Sequence, residues 1–343
     1  MKNILVTGGM GFIGSNFVRY LLNINQEFKI INVDKLTYAG NPENLNEITS
    51  TYPNRYKFYK NDICDFESID KIIKKENIDY IINFAAESHV DRSIGNPTTF
   101  CNTNIMGTQS LLNAAKKNKI KKFVQISTDE VYGSLNFEDP PFTEQTPLSP
   151  NSPYSASKAS ADLLVNAYNK TYGLPINITR CSNNYGSYQF PEKLIPLMIN
   201  NVISNKELPV YGKGINVRDW IHVTDHCAAI LKILLGGRIG EIYNIGGDCE
   251  IANIDLVKKL LKQLDKPESL ITFVEDRPGH DLRYAINHEK ITGELDWKPE
   301  INFDKGLNLT IKWYIDNEEW LNNVINKNYL TYYEQQYKNR QKL

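Results

Sequence analysis

The chain has 343 residues, enough for a well-buried core and for either two domains or one large, elaborated α/β unit. Its 39 Lys and Arg nearly cancel 40 Asp and Glu, so the net charge of −1 gives no field that would draw it to nucleic acid or to an anionic membrane surface. Five scattered cysteines with no CxxC pair make no disulfide framework, and no apolar run reaches the roughly 18 residues of a membrane span. The expectation is a cytoplasmic protein whose partner is a small molecule or another protein.

In chain order, NILVTGG (3–9) is an apolar strand ending in glycines, and GSNFVRYLLN (14–23) carries apolar residues at helical spacing. FKIINVD (28–34) reads as a second strand. YKFYKNDI (56–63), the helical FESIDKIIKKEN (66–77) and IDYIINFAA (78–86) give strand, helix and strand again, the order of parallel pairing with crossover helices. IMGTQSLLNAAKKNKI (105–120) is predicted helical, KKFVQIS (121–127) extended, and LPINITR (174–180) closes the alternation. This predicts an α/β fold, a doubly wound parallel sheet of Rossmann type. From Cys181 onward strands are shorter and turns such as YGKG are frequent, so residues 181–343 are expected to form a smaller C-terminal α/β substrate lobe. Residues 1–180 are then mainly the dinucleotide domain, with some later segments returning to it. The aromatic tail at 312–338 reads as a packed amphipathic segment, an interface role being the alternative.

Gly9, Gly11 and Gly14 form GxGxxG between that first strand and helix, and Gly8 adds the GxxGxxG spacing. Glycines there permit a tight turn and a close backbone approach to a pyrophosphate, which faces the helix N-terminus. Asp34 ends the second strand, 20 residues after Gly14, where a carboxylate accepts from ribose hydroxyls and repels a 2'-phosphate. NAD is therefore expected rather than NADP, with Lys35 beside it as the contrary signal. Asp62 and Ile63 follow the third strand, and the small Ala85 and Ala86 follow the fourth, where cofactor could meet backbone.

YSASK sets Tyr154 and Lys158 four apart on one helix face. An ammonium beside a phenol, with a cationic nicotinamide near, is expected to lower the phenol's pKa toward neutrality so that it can take a hydroxyl proton. TGGMGFIG, Asp34, Ser127 with Thr128, and YSASK together resemble the extended short-chain dehydrogenase/reductase family. Within it, AAESHVDRS, STDEVYG, TRCSNNYG, FPEKLIP, VYGKGINVRDWIHV and DRPGHDLRYA resemble nucleotide-sugar 4,6-dehydratases, most closely those acting on dTDP-glucose.

The resemblance implies a reaction and a homodimer. Tyr154, with Thr128 and Lys158 nearby, removes the O4 proton as C4 gives its hydride to NAD; Glu130 then takes the C5 proton, Asp129 protonates the departing O6 hydroxyl, and hydride returns to C6. Burial and mutual repulsion would let one of the neighbouring acids stay protonated. It also implies cofactor contact at Gly8, Gly11, Phe12, Ile13, Gly14, Asp34, Lys35, Leu36 and Thr37. Asp62, Ile63, Phe84, Ala85, Ala86, Ser88, Thr103 and Asn184 join them, as do Tyr154 and Lys158. Substrate contact is implied at Ser88, Thr128, Asn183, Lys193, Leu194, Pro209 and Tyr211, and at Arg218, Asn253, Arg277, His280 and Tyr284. His89 either lines the glucose pocket or is structural. Arg283 is a further candidate for the diphosphate, since guanidinium offers bidentate phosphate contacts.

His222 and His226 bracket Asp225, but without a further His or Cys cluster they are expected to be cap and core residues and no metal is expected. The basic run at 114–122 reads as a solvated helix end rather than a nucleic-acid site. A UDP-glucose dehydratase, a nucleotide-sugar 4-epimerase and a catalytically silent NAD sensor stand as alternatives. An epimerase needs no acid pair, and a sensor need not keep Tyr154, Lys158, Asp129 and Glu130.

Overall fold

Alternate residues of the first strand face opposite ways: Ile4 and Val6 enter one hydrophobic cluster and Leu5 another, all fully buried. A strand apolar on both faces belongs inside a sheet. In the computed structural model, which describes residues 1–24, 27–325 and 327–334 with residues 336 and 342, it does.

Twelve strands run in chain order as β1 (Lys2–Thr7), β2 (Phe28–Asp34), β3 (Tyr56–Lys60), β4 (Tyr80–Asn83), β5 (Lys122–Thr128), β6 (Ile176–Cys181), β7 (Asn183–Tyr185), β8 (Leu208–Tyr211), β9 (Val217–His222), β10 (Ile242–Ile245), β11 (Glu250–Ala252) and β12 (Ile271–Val274). Seven form one sheet in the order β10-β6-β5-β4-β1-β2-β3. Every pairing in it is parallel. One face packs on helices Phe66–Glu76, Thr108–Lys117 and Pro153–Tyr172, the other on Phe12–Ile24 and Val223–Gly236. The chain leaves β1 toward β3 and then crosses to β4 on the other side, so β1 and β4 flank the point where strand order reverses. Such a point opens a crevice at the carboxyl ends of the strands.

The second lobe has β11-β9-β7 and β12-β8 as small sheets and its own core, in which Ile199, Leu256, Leu260, Leu307 and Tyr314 meet. The division near residue 180 is blurred in both directions. β10 completes the large sheet, and the Trp320 indole donates to Asn44 Oδ1 at 2.8 Å. In the aromatic tail Trp313, Tyr314 and Trp320 pack on one another, whereas its residues 326, 335, 337 and 338 lie outside the described residues.

Two local departures from the expected elements concern the site. The helix expected over 105–120 begins as Pro97–Phe100, widens to π geometry over Cys101–Gly107, and is α-helical only over Thr108–Lys117. The basic run after it is tied down: Lys117 pairs with Asp70 at 2.8 Å and Lys121 with Asp79 at 2.8 Å, and buried Lys122 donates to the Ile233 and Gly237 carbonyls.

Candidate active site

The turn after β1 is built so tightly that side chains are excluded. A Cβ at Gly8, whose φ is +69°, would lie 2.7 Å from the Ala85 backbone, and one at Gly14 would lie 2.3 Å from the Gly8 carbonyl oxygen. The helix Phe12–Ile24 therefore starts flush against the strand ends, with Gly11, Phe12 and Ile13 facing a cavity of about 290 Å³. Asp34 sits at the far rim, its Oδ2 accepting from the Met10 N–H at 2.9 Å and its Oδ1 from the Leu36 N–H at 2.8 Å. Burial raises its pKa and these two donors oppose the rise. Lys35, the contrary signal for a 2'-phosphate, is paired with Asp62 at 2.7 Å. A glycine cradle beneath a helix N-terminus, with a carboxylate at the ribose end, suits NAD.

The cavity brings together nearly every residue assigned to the cofactor, including Thr37, Asp62, Ile63, Phe84, Ala85, Ala86, Ser88, Thr103 and Asn184. Leu36 is the exception. It turns into the core on a backbone of φ +58° and meets the site only through the N–H held by Asp34. Sequence reasoning did not single out Asn61, Glu87, Ser182, Gln189 or Glu192, which also line the cavity. Most adjoin a residue that was singled out, so the strand-end positions were the usable signal.

Beyond the crevice stand the groups that can move protons. Ser152 caps the helix Pro153–Tyr172 through a reciprocal bond pair with Ser155, Pro153 occupies its first turn, and Gly173 ends it at φ +66°. Tyr154 and Lys158 thus come from the first two turns of a well-defined helix, both buried. The Lys158 ammonium donates to the Ile126 carbonyl at 2.7 Å. Burial lowers its pKa, opposed by Asp162, which is itself paired with buried Arg180 at 2.9 Å. The Tyr154 phenol is not lowered as expected: burial, then the Glu130 charge, pushes it well above its ordinary value, and a hydrogen bond with Thr128 opposes this only partly. A fully desolvated phenol between acids favours its neutral form, and the lysine charge is spent on other partners.

Thr128 ends β5 and caps the single turn Asp129–Tyr132 by accepting from the Glu130 N–H at 3.3 Å. That turn splits the two acids. Asp129 is almost wholly buried, its Oδ1 accepts from the Thr128 hydroxyl at 3.2 Å, and its Oδ2 has no partner among the described residues. Burial, then Glu130 and Asp219, drives its carboxyl well above the usual range. Burial raises Glu130 too, but Lys193, Arg277 and Arg218 all pull it back. Asp129 is the acid that keeps its proton, and Glu130 the one more readily ionised.

Glu130, Asn183, Glu192 and Lys193 line both this cavity and a second one. The second holds His89, Leu194, Pro209, Tyr211, Arg218, Asn253, Arg277, His280 and Tyr284, and Ser88 and Thr128 lie on the cofactor side of the junction. The Arg218 guanidinium donates to the Val217 and Asp281 carbonyls at 2.7 and 2.9 Å and lies over the Tyr284 ring at 4.3 Å. Lys193 donates to the Ser88 carbonyl at 2.9 Å. His280, flanked by Arg277 and Arg218, is pushed down to about 4 by burial and those charges. Arg283 is not there. It grips Glu250 at 2.6 and 3.0 Å and the Asn136 and Asp139 carbonyls, tying a loop to β11. His222 caps the helix Val223–Gly236, and buried His226 bonds Asn184 Oδ1 at 2.8 Å. Among the described residues no three His, Cys, Asp or Glu side chains converge on a metal position.

Residues 5–310 match the GDP-mannose 4,6 dehydratase family. The chain belongs to that family. It is 51% identical to the dTDP-glucose 4,6-dehydratase of Haemophilus influenzae over 337 residues, covering 92% of this chain and 99% of the relative. Among solved structures it resembles dTDP-glucose 4,6-dehydratase from Bacillus anthracis in complex with NAD, with a TM-score of 0.88 and 52% identity over 94% of this chain and all of the other. The Streptomyces venezuelae dTDP-glucose 4,6-dehydratase DesIV, also solved with NAD bound, gives a TM-score of 0.90 and 47% identity over 94% and 99%. The doubly wound parallel sheet expected from the βα alternation is found with seven strands and matches these dehydratase structures.

Proposed function

We propose that the chain converts dTDP-D-glucose to dTDP-4-keto-6-deoxy-D-glucose and water, an NAD-dependent hydro-lyase. The observation that carries this is that Thr128, Asp129 and Tyr154 line the glycine-cradled cavity while Glu130 lines both it and the cation-lined one. NAD, when bound, would supply the hydride acceptor for C4 of the sugar and the hydride donor for C6. Gly8, Gly11 and Gly14 would hold its pyrophosphate and Asp34 its ribose. Tyr154 takes the O4 proton, with Thr128 orienting the phenol and opposing in part the burial that favours its neutral form. The 4-ketone acidifies the C5 hydrogen, which Glu130 removes, Asp129 delivers its retained proton to the O6 hydroxyl so that it leaves as water, and C5 takes a proton back as C6 is reduced. Lys193, Arg218 and Arg277 face the diphosphate.

An acid pair so divided by environment supports elimination over 4-epimerisation, which loses no water. The thymidine nucleotide is read from the relatives. Incubating purified protein with dTDP-glucose and with UDP-glucose, and following 4-keto product, tests it: faster turnover of UDP-glucose would remove the substrate assignment. A homodimer is part of the proposal, supported by exposed Ile94, Met106 and Leu163 on neighbouring helices. So are a division into residues 1–180, mainly cofactor-binding, and 181–343, mainly sugar-nucleotide-binding, and a cytoplasmic setting, which five unpaired cysteines suit. No helix among the described residues is long and apolar enough to cross a membrane.

A further inference from the structure

The aromatic tail reaches past residue 310, where the family match ends, and runs back to the sugar-nucleotide cavity. Its last described turns touch that cavity's wall from behind. The Tyr329 hydroxyl donates to the Pro191 carbonyl at 3.1 Å, next to Glu192 and Lys193. The Tyr332 hydroxyl lies 3.3 Å from His89 Nδ1, and its ring carries the Arg92 guanidinium at 3.8 Å, which in turn pairs with Glu192 at 2.9 Å. The Gln336 amide donates to Asp91 Oδ2 at 2.9 Å and to the Tyr211 hydroxyl at 3.0 Å.

Asp91 connects these contacts to a cation. Its Oδ2 accepts from Gln336 and from Tyr211 at 3.2 Å, while its Oδ1 takes Arg277 NH1 at 3.2 Å. The carboxylate is almost wholly buried, and these donors help to fix its orientation. With Oδ2 held by two neutral donors, Asp91 accepts from Arg277 NH1 through Oδ1. Among the described residues, Arg277 Nε is left buried and without a hydrogen-bond partner, on a side chain that lines the cavity. A carboxylate free to rotate could close a bidentate pair with that guanidinium and withhold it from phosphate.

Resting on the dehydratase reading above, we infer that Gln336 is a positioning residue for the nucleotide diphosphate: by pinning Asp91 it aims Arg277 into the cavity. The C-terminal segment is in this way part of the substrate site, although it touches no reacting atom.

The test is steady-state kinetics on the full chain with dTDP-glucose, run on wild type, Gln336→Ala, Arg277→Met and the double variant. Wild-type turnover is the condition for the dehydratase reading, so its absence refutes that reading and leaves the Gln336 result distinguishable. Given turnover, Gln336→Ala should raise KM for the sugar nucleotide about tenfold, with kcat within about twofold. Gln336→Glu, which sets a like charge against Asp91, should raise KM further. In the Arg277→Met background the Gln336→Ala change should add nothing, because its effect passes through Arg277. An unchanged KM in Gln336→Ala, or the same rise with Arg277 already removed, would overturn the inference. Thermal melts and NAD titrations on the same proteins should stay at wild-type values, and a loss of melting temperature matching the KM rise would make the role structural.

Discussion

Asp129 and Glu130 are adjacent in sequence and identical in formal charge, yet their surroundings differ, which suits the opposite tasks proposed for them. One is sealed away with an unpaired oxygen and the other faces three cations. Replacing Glu130 by Gln removes the base but keeps its shape, so water loss should fall by about a thousandfold while NAD and dTDP-glucose still bind, as calorimetry and product assay would show. A variant that turns over normally would unseat Glu130. His226 offers a stability test. Its imidazole, with an ordinary value of 6.5, is held down to about 3 by burial. The unfolded chain therefore takes up this proton first, and stability drops as pH falls below about 6.5, by roughly 2 kcal/mol at pH 5 from this group. Melting curves of His226→Gln should show a smaller loss between pH 7 and pH 5 than wild type. The acid pair, Tyr154 and Lys158 were legible from their place after a strand and on a helix start. The rise in the Tyr154 pKa was not, because burial and the Ile126 and Asp162 contacts of Lys158 depend on the folded surroundings.

The glycine turn was readable as an element, since spacing and context together demand backbone without side chains. A methyl at Gly14 has nowhere to go, and Gly14→Ala should abolish NAD binding in a fluorescence titration and lower the melting temperature. The π-helical stretch Cys101–Gly107 was not readable. Its widening coincides with tertiary demands: a Cβ at Gly107 would lie 2.5 Å from the Ile63 side chain, and Asn104 accepts from the Glu87 N–H at 2.9 Å while donating to the Glu87 carbonyl at 3.0 Å and to Ser157 at 2.8 Å. Apolar periodicity over 105–120 signals helix and carries nothing about a bond shifted by one residue. Asn104 thus stitches the segment after β4 to the helix that bears Tyr154 and Lys158. Asn104→Ala leaves the Glu87 N–H and C=O without their side-chain partner, while the Ser157 hydroxyl keeps its bond to the Tyr154 carbonyl, and chemical denaturation should report a loss of roughly 2 to 4 kcal/mol.

At the scale of the whole molecule, the dimer predicted from exposed Ile94, Met106 and Leu163 has a direct check. Leu163→Asp should sediment at half the wild-type mass if that face is the contact. The division proposed near residue 180 rests on strands that shorten and turns that multiply after it. Later segments were expected to return to the early domain, but composition along the chain cannot show which strand does so. β10 pairs with β6 and covers an edge whose N–H and C=O groups would otherwise face solvent. During synthesis this has a price in time: β1, sitting between β4 and β2, waits for residue 83, and the far rim stays open until residue 245 has emerged. A gene fragment cut at residue 180 would accordingly yield a product with a sticky border, prone to clump rather than to bind dinucleotide on its own.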